Sequence, residues 1–398
     1  MGVTLKEIRR ITPTSAGKRR FLRSLARDIG SIGASARVSL KGRRIQFCAK
    51  LPGLTINQAI LHLHAVRQRR LQGEAEFIYR MERKGIGELF GDGIRVQPDR
   101  IQPSISICRT EKELEVFHYC RLVQSFPTSN LLGRQIRALV YDVGQGKPFL
   151  MGALGLCSSP YTLRCRDEYL GWHLDGRCEL KAKGLNCLMQ LAICMSFPPY
   201  SYLLGGKLIA SLALADKICR HFTHSYQDKL PLGGQLMGLV TICAGGRHCP
   251  IFNRIMLRPG GLYRHIGETA GYTTAYFSEE TMNWARQLGR DPMPGRNARG
   301  FGKSLRVIQR ALRSCNLPYE DIVRNGLKKG VYMGFASPEA LACLRSGKFK
   351  RKLPLLRENV AIDHWRRRLL PTRTARSDVV ATIERFKGES LLLTRTLA

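Results

Sequence analysis

The sequence of 398 residues has few acidic side chains: 30 Asp and Glu stand against 65 Lys and Arg, which gives a formal net charge of +35. Hydrophobic residues nevertheless make up 44% of the chain, which excludes an intrinsically disordered protein. An uncompensated charge of this size destabilises a compact state by self-repulsion. The composition therefore predicts a folded protein with a polyanionic partner, and nucleic acid is the first candidate.

Long apolar runs are also missing. The longest, residues 185–197, contains three polar residues and ends at a Pro-Pro pair, well short of the roughly 20 residues that a membrane helix needs. The segment MGVTLKEIRR has no apolar stretch of the kind found in secretory signal peptides. We therefore expect a soluble, cytoplasmic protein with no membrane partner.

No Cys-x-x-Cys pair occurs among the 13 cysteines. An odd number of cysteines at irregular spacings, in a chain expected to be intracellular, argues against a disulfide framework. Cys243, His248 and Cys249 are close in sequence, but no second ligand pair follows at zinc-finger spacing. We interpret the cysteines as buried or incidental thiols and predict no metal site.

Basic residues concentrate towards the two ends of the chain. Residues 1–50 contain 13 basic and 2 acidic residues, and residues 345–376 contain 11 and 2. Cations without neutralising neighbours, interleaved with aromatic residues, are typical of phosphate-binding surfaces. We predict that DNA, or alternatively RNA, is bound by basic residues of both ends: Arg19, Arg20, Arg43, Arg44, Lys350, Arg351, Lys352, Arg366, Arg367 and Arg368.

The pattern of the chain divides it into a basic N-terminal arm (1–50), a helical region (51–118), an α/β core (119–290) and a basic, mainly helical C-terminal region (291–398). Apolar runs predict core strands at 135–141, 149–157 and 236–244. Residues 185–197 predict a buried strand, together with part of the helix that precedes it. Leucines at i, i+4 spacing then predict a helix over 204–215. The fold class is α/β (α+β), with a mixed sheet flanked by helices.

A glycine-containing loop, Leu203-Leu204-Gly205-Gly206-Lys207, separates that strand from that helix. Backbone N–H groups at a helix start attract anions. Alternatively, the glycines only permit close packing of the turn. The spacing alone leaves both interpretations open.

Two other motifs suggest phosphate or metal chemistry. Lys303 lies in a Gly-Lys-Ser sequence, but Asn297 stands where a phosphate-binding loop needs its first glycine, so nucleotide hydrolysis is excluded there. Asp167 followed by Glu179 and Lys181 resembles the carboxylate and Glu-x-Lys pattern of metal-dependent nucleases. The alternative is a charged segment before the buried strand.

Several blocks between residues 122 and 290 resemble the Druantia anti-phage system protein A family. The matching segments are LLGRQIRALVYDVG, MGALGLCSSPYTLRCRDEYLGWH, PPYSYLLGGKLIASLAL, VTICAGGRHCPIFNRI and IGETAGYTT. This resemblance implies a component of a bacterial anti-phage system that acts with other defence subunits.

The same blocks look like a divergent GNAT acyltransferase layout, which is similar to that of the Mom-type nucleobase-modifying enzymes of phages. This resemblance implies a GNAT-like mixed sheet and an acyl-coenzyme A-like cofactor at Tyr202, Leu204, Gly205, Gly206 and Lys207, with no metal required. The usual Arg/Gln-x-x-Gly-x-Gly/Ala signature is missing, so the cofactor stays undetermined. A general base would come from Asp167 or Glu268.

Our first hypothesis is a DNA-binding component of a bacterial anti-phage system. One alternative is a GNAT-like enzyme that transfers a group to nucleobases or protein amines. A metal-dependent nuclease is the other alternative. The sequence leaves the oligomeric state open.

Overall fold

The computed structural model describes most of the chain. The described residues are 6–31, 35–51, 64, 67–68, 70–125, 131–172, 178–230, 234–271, 277–288, 303–323, 328–349 and 353–397. Lys350, Arg351 and Lys352, predicted to bind nucleic acid, lie outside them, as do residues 52–63 of the region predicted to be helical (51–118). Within the described parts, no helix has the length and apolar character needed to span a membrane.

Within the described residues, ten strands form two sheets. In chain order they are β1 (Lys6–Pro13), β2 (Ser35–Lys41), β3 (Arg44–Leu51), β4 (Pro103–Ile107), β5 (Gln135–Asp142), β6 (Phe149–Ser158), β7 (Leu188–Ser196), β8 (Gly238–Cys243), β9 (Tyr263–Glu268) and β10 (Gly330–Phe335).

The α-helices of the described segments lie between and after these strands. They are α1 (Ala16–Ser31), α2 (Ala75–Arg83), α3 (Glu111–Val123), α4 (Arg164–Leu170), α5 (Cys178–Asn186), α6 (Gly205–Leu212), α7 (Asp216–Tyr226), α8 (Glu279–Leu288), α9 (Lys303–Ser314), α10 (Tyr319–Val323), α11 (Ala340–Ser346), α12 (Glu358–His364), α13 (Pro371–Thr374), α14 (Ser377–Arg385) and α15 (Thr394–Leu397). Short 3₁₀ turns include Tyr200–Leu203 and Gly246–His248, and Trp365–Leu369 is a π-helical turn.

The chain forms two compact units, and each of them is built from two separate segments. The first unit comprises Met1–Arg70 and Ala270–Lys328, and the second comprises Leu71–Thr269 and Lys329–Ala398.

The first unit contains a three-stranded antiparallel sheet in the order β1-β3-β2. Ile45, Phe47 and Ala49 alternate along β3 and are buried, as expected of one face of a strand. They share a hydrophobic core with α1, α8, α9 and α10. The segment predicted as a basic arm thus contains three strands as well as its helix, because this alternation buries one face of a sheet.

The second unit is built on a seven-stranded sheet in the order β4-β5-β6-β7-β8-β10-β9. Its pairs are antiparallel except for β7 with β8, which are parallel over three residue pairs, Leu188↔Gly238 to Gln190↔Val240. Helices α6 and α7 connect these two strands, as a parallel pair requires a crossover connection. The predicted mixed α/β fold, with helices flanking the sheet, is confirmed.

The predicted core elements correspond to β5, β6, β7, β8 and α6, and α5 is the helix that precedes β7. Three strands of this sheet were not predicted. β10 contains two glycines and no polar residue other than Tyr332, β9 is polar and lies at one edge, and β4 has only five residues at the other edge.

Candidate functional site

The glycine loop after β7 is tightly packed at its first glycine. A Cβ atom on Gly205 would lie 2.4 Å from Ser196 Oγ and 2.6 Å from the Tyr200 carbonyl oxygen. Leu204 before it has a positive φ of 59°, which costs a non-glycine residue some backbone strain. Gly205 is therefore required for the close approach of α6 to the end of β7.

The C-terminal region covers the residues that precede Gly205. The Trp365 indole N–H donates to the Leu203 carbonyl at 3.0 Å, and the Arg373 guanidinium donates to the Tyr202 carbonyl at 2.8 Å. The ring of Tyr202 meets that of Phe386 edge-on at 6.3 Å between centroids. These contacts fix the loop and satisfy two of its carbonyl groups.

Lys207 is directed towards the loop that follows β8. Its half-buried ammonium donates to the carbonyl oxygen of Asn253, and burial lowers its pKa. The predicted cofactor residues Tyr202, Leu204, Gly205 and Lys207 therefore already have defined packing roles. Gly206 has more room, because a Cβ there would meet its nearest neighbour, Ile251, only at 3.4 Å.

Asp167, one of the two predicted general bases, lies in a buried cluster of charges on α4. Its Oδ1 accepts from Arg166 Nε at 2.9 Å and Nη2 at 2.6 Å, and its Oδ2 accepts from Lys181 Nζ at 2.9 Å. Arg166 is 0% exposed and also donates to Ser159 Oγ at 2.7 Å. The Asp167 carboxylate therefore compensates two cations in the interior.

Glu268, the second predicted base, ends β9 and is exposed. The structure brings its strand next to α4, because the Cys165 thiol donates to the Glu268 carbonyl at 3.0 Å. The helix of Asp167 and the strand of Glu268 are thus neighbours. Only the Glu268 carboxylate is open to solvent.

Glu179, the second carboxylate of the nuclease-like pattern, points elsewhere. Glu179 is 80% exposed and pairs with Lys183 at 2.5 Å on α5, and this hydrogen bond lowers its pKa. Lys181 forms its ion pair with Asp167 instead. In the described parts of the chain, no group of three or more His, Cys, Asp or Glu side chains could hold a metal ion.

The first unit carries a disproportionate share of the positive charge. Its two segments make up about a third of the chain but contain 26 Lys and Arg against 7 Asp and Glu, a net charge of +19. Arg43 and Arg44, two of the residues predicted to bind nucleic acid, are exposed at the turn between β2 and β3, together with Lys41. Arg9 of β1 and Arg37 of β2 lie on the outer face of the sheet. Both are aligned with Cys48 of the central strand β3, one on each side of it.

Helix α9 adds a row of cations that the sequence analysis did not single out. Arg306, Arg310 and Arg313 are exposed at i, i+4, i+7 spacing, and Ile308, Ala311 and Leu312 are buried. The spacing was a signal available in the sequence, since residues four and seven apart share one helix face. The arginines therefore form a single basic stripe.

The remaining predicted cations differ in their exposure. Arg20 lies over the Trp284 ring at 5.0 Å, and Arg19 is half-buried. In the second unit, Arg366, Arg367 and Arg368 are all exposed, and Arg366 also donates to the Ile101 carbonyl at 2.9 Å.

Comparison with known proteins connects these features to a family. The family model described as Druantia protein DruA matches residues 56–342. The chain is 27% identical, over 310 residues, to the Druantia protein DruA of Escherichia coli (strain UMEA 4076-1), an alignment that covers 75% of this chain and 74% of the relative. No solved structure is significantly similar to it. The match extends over most of the chain, from before the seven-stranded sheet to beyond its last strand, and the chain therefore belongs to the Druantia protein DruA family.

Proposed function

We propose that this chain is the DNA-binding component of a Druantia anti-phage system and that it acts with other defence subunits. The observation that carries the proposal is the exposed arginine surface of the first unit, together with its net charge of +19. A defence component that binds DNA works where phage DNA is found, so we place the protein in the cytoplasm.

The stripe on α9 suits a phosphate backbone. Arg306 and Arg313 are seven residues apart, which corresponds to roughly 10 Å along a helix; along the axis of DNA, about three phosphates of one strand fall within this length. The turn with Arg43 and Arg44 offers two further exposed cations. Contacts of this kind supply affinity without reading sequence, so we expect binding that depends strongly on salt.

Paired substitutions test this proposal better than a deletion. Removal of residues 1–50 would take away α1 and the sheet of the first unit, so lost binding would not identify contacts. We compare Arg306→Ala/Arg313→Ala and Arg43→Ala/Arg44→Ala with wild type, and measure affinity for a DNA duplex at several salt concentrations. Each pair should reduce the slope of log K against log salt by about 2, because each phosphate contact contributes ~0.9.

The matched control removes two exposed arginines that already have carboxylate partners. Arg164 pairs with Glu168 and Arg376 pairs with Asp378, both at 2.6 Å. Arg164→Ala/Arg376→Ala should leave the salt slope unchanged. Equal slopes for all variants, or wild-type binding that does not respond to salt, contradicts the proposal. Tighter binding to an RNA duplex assigns the surface to RNA.

The strand order favours a second candidate function, group transfer by a GNAT-like core. Within an otherwise antiparallel sheet, β7 and β8 form one parallel pair that extends over only three residues, and the loop to α6 follows β7. This agrees with a GNAT-like layout in which an acyl-coenzyme A-like ligand lies beside Gly206 and Lys207. Glu268 is then the better candidate for the base, since Asp167 is held by Arg166 and Lys181.

Calorimetry with acetyl-coenzyme A, followed by mass spectrometry of DNA and protein incubated with it, tests this second function. Lys207→Gln should weaken cofactor binding, and Glu268→Gln should abolish transfer but leave binding intact. Absence of cofactor binding by the folded wild-type protein contradicts the function.

A further inference from the structure

Two thiols face each other where β8 ends. Cys243 is the last residue of β8, Cys249 lies in the loop that follows, and their Sγ atoms are 2.7 Å apart. This separation is less than 1 Å longer than a disulfide bond of about 2.05 Å. We propose that Cys243 and Cys249 form a redox-active dithiol, in which Cys249 is the nucleophile towards hydroperoxides and Cys243 is the resolving thiol.

The backbone holds the loop between the two cysteines in place. The Cys249 N–H donates to the Tyr332 hydroxyl at 3.1 Å, and that hydroxyl donates to the Gly246 carbonyl at 2.9 Å. One side chain of β10 therefore fixes both the start of the loop and the nucleophile. Little movement is needed to bring the sulfurs to bonding distance.

The surroundings of Cys249 favour its thiolate. The hydrogen bond from Cys243 lowers the pKa of Cys249 and outweighs burial, which raises it; the amides of Ile251 and Phe252 and the charge of Lys207 also lower the pKa. Of the two thiols, Cys249 therefore ionises more readily, and the thiolate is the reactive form. The same hydrogen bond and burial raise the pKa of Cys243, so the resolving thiol keeps its proton.

The reaction balances with a hydroperoxide as the oxidant. The Cys249 thiolate attacks one peroxide oxygen and breaks the O–O bond, which gives a sulfenic acid and releases hydroxide or alkoxide. The Cys243 sulfur then attacks the Cys249 sulfur. A disulfide forms, the Cys243 proton and the sulfenic hydroxyl leave as water, and the two thiols have lost two electrons to the peroxide.

Access to the site selects a small oxidant. Cys249 is only 2% exposed and Cys243 is half-buried, which disfavours attack by a bulky protein disulfide. Oxidation also removes the thiolate charge near Lys207, the residue at the start of α6. The redox state of the pair thus changes the electrostatics of the glycine loop.

The test uses the full chain and hydrogen peroxide. After an equimolar dose, remaining thiols are alkylated and the protein is digested with trypsin without reduction. Because Arg247 lies between the two cysteines, the disulfide joins two tryptic peptides, 230–247 and 248–254. We expect this joined species to appear first among the oxidised cysteine peptides and to disappear after treatment with dithiothreitol.

Variants separate the two roles. Cys243→Ser should abolish the joined species and leave a sulfenic acid on Cys249 that dimedone traps, whereas Cys249→Ser should give neither product. Cys165→Ser is the matched control, because Cys165 is also half-buried but burial raises its pKa, and it should behave as wild type. Two separately alkylated peptides at doses that oxidise other cysteines would overturn the proposal. So would a bond from Cys249 to Cys194 of β7, a thiol close enough to interact electrostatically with Cys249.

Discussion

Replacement of Asp167 by alanine tests whether this carboxylate acts in stability or in catalysis. The side chain of Asp167 is 7% exposed, and it pairs with Arg166, whose side chain is 0% exposed, and with Lys181, which is 13% exposed. The substitution leaves the charge of Arg166 buried and without its only anionic partner among the contacts described above. Removal of one partner from such a pair costs about 3–5 kcal/mol.

The expected effect is a fall in thermal midpoint of roughly 10 °C, since a protein of this size loses a few degrees per kcal/mol. Differential scanning fluorimetry measures it, and circular dichroism checks that the variant folds. Arg164→Ala is the control on the same helix. The Arg164 side chain is 88% exposed and pairs with Glu168, so water screens this ion pair and the substitution should leave the midpoint nearly unchanged.

A double variant, Arg166→Met/Asp167→Ala, adds a further check. It removes the stranded cation along with its partner, so it should recover part of the lost stability, because an apolar replacement of a buried pair is often close to neutral. An Asp167→Ala protein with an unchanged midpoint would refute this structural role. If the Asp167→Ala protein were as stable as wild type but failed to transfer a group in the mass-spectrometric assay with acetyl-coenzyme A, Asp167 would again be a candidate for the general base.

Two further substitutions probe local structure. Glu113→Gln removes the negative charge, but not the acceptor oxygen, from a capping box on α3, where Glu113 accepts from the N–H groups of Arg109 and Thr110, which lower its pKa to about 2. Because the pKa is lower in the folded state, this stabilisation is present above the ordinary value of 4.5 and is lost as pH falls towards 2. Urea unfolding at pH 7 should show that the variant has lost about 1 kcal/mol of its free energy of unfolding. A difference between variant and wild type that persists unchanged at pH 2 contradicts the assignment. Gly93→Ala places a Cβ 1.6 Å from the carbonyl oxygen of Ile383 and should destabilise the protein by more than about 2 kcal/mol. Gly73 is an exposed helical position with open space around it, so Gly73→Ala should be neutral or stabilising by up to ~1 kcal/mol. Equal thermal midpoints for the two variants would be inconsistent with this packing.

The central strands were predictable because they are apolar over their whole length. β6 is buried at nine of its ten positions, and a run of that kind between turns has few other interpretations. The strands of the first unit were harder to predict, because β1 and β3 carry the cations that suggested an arm. In β3 the alternation of Ile45, Phe47 and Ala49 was present, but the arginines around it dominated the pattern.

The candidate site was only partly predictable for a different reason. The place of Gly205 at a strand-to-helix turn follows from local sequence. The partners of Asp167 and of Lys207 do not, because Lys181 and Asn253 lie 14 and 46 residues away and meet them only in the fold. The facing thiols of Cys243 and Cys249 depend in the same way on Tyr332, which comes from a strand that was not predicted.

The discontinuous first unit sets an order of events during synthesis. Phe21 and Leu25 of α1 belong to the same core as Ile308 and Leu312 of α9, so the N-terminal strands and helix leave the ribosome long before the residues that cover them. At 5–20 residues per second, the wait is roughly 15–60 s. During that time one of the most basic segments of the chain has no completed core, and the apolar face of α1 waits for the helices that will cover it.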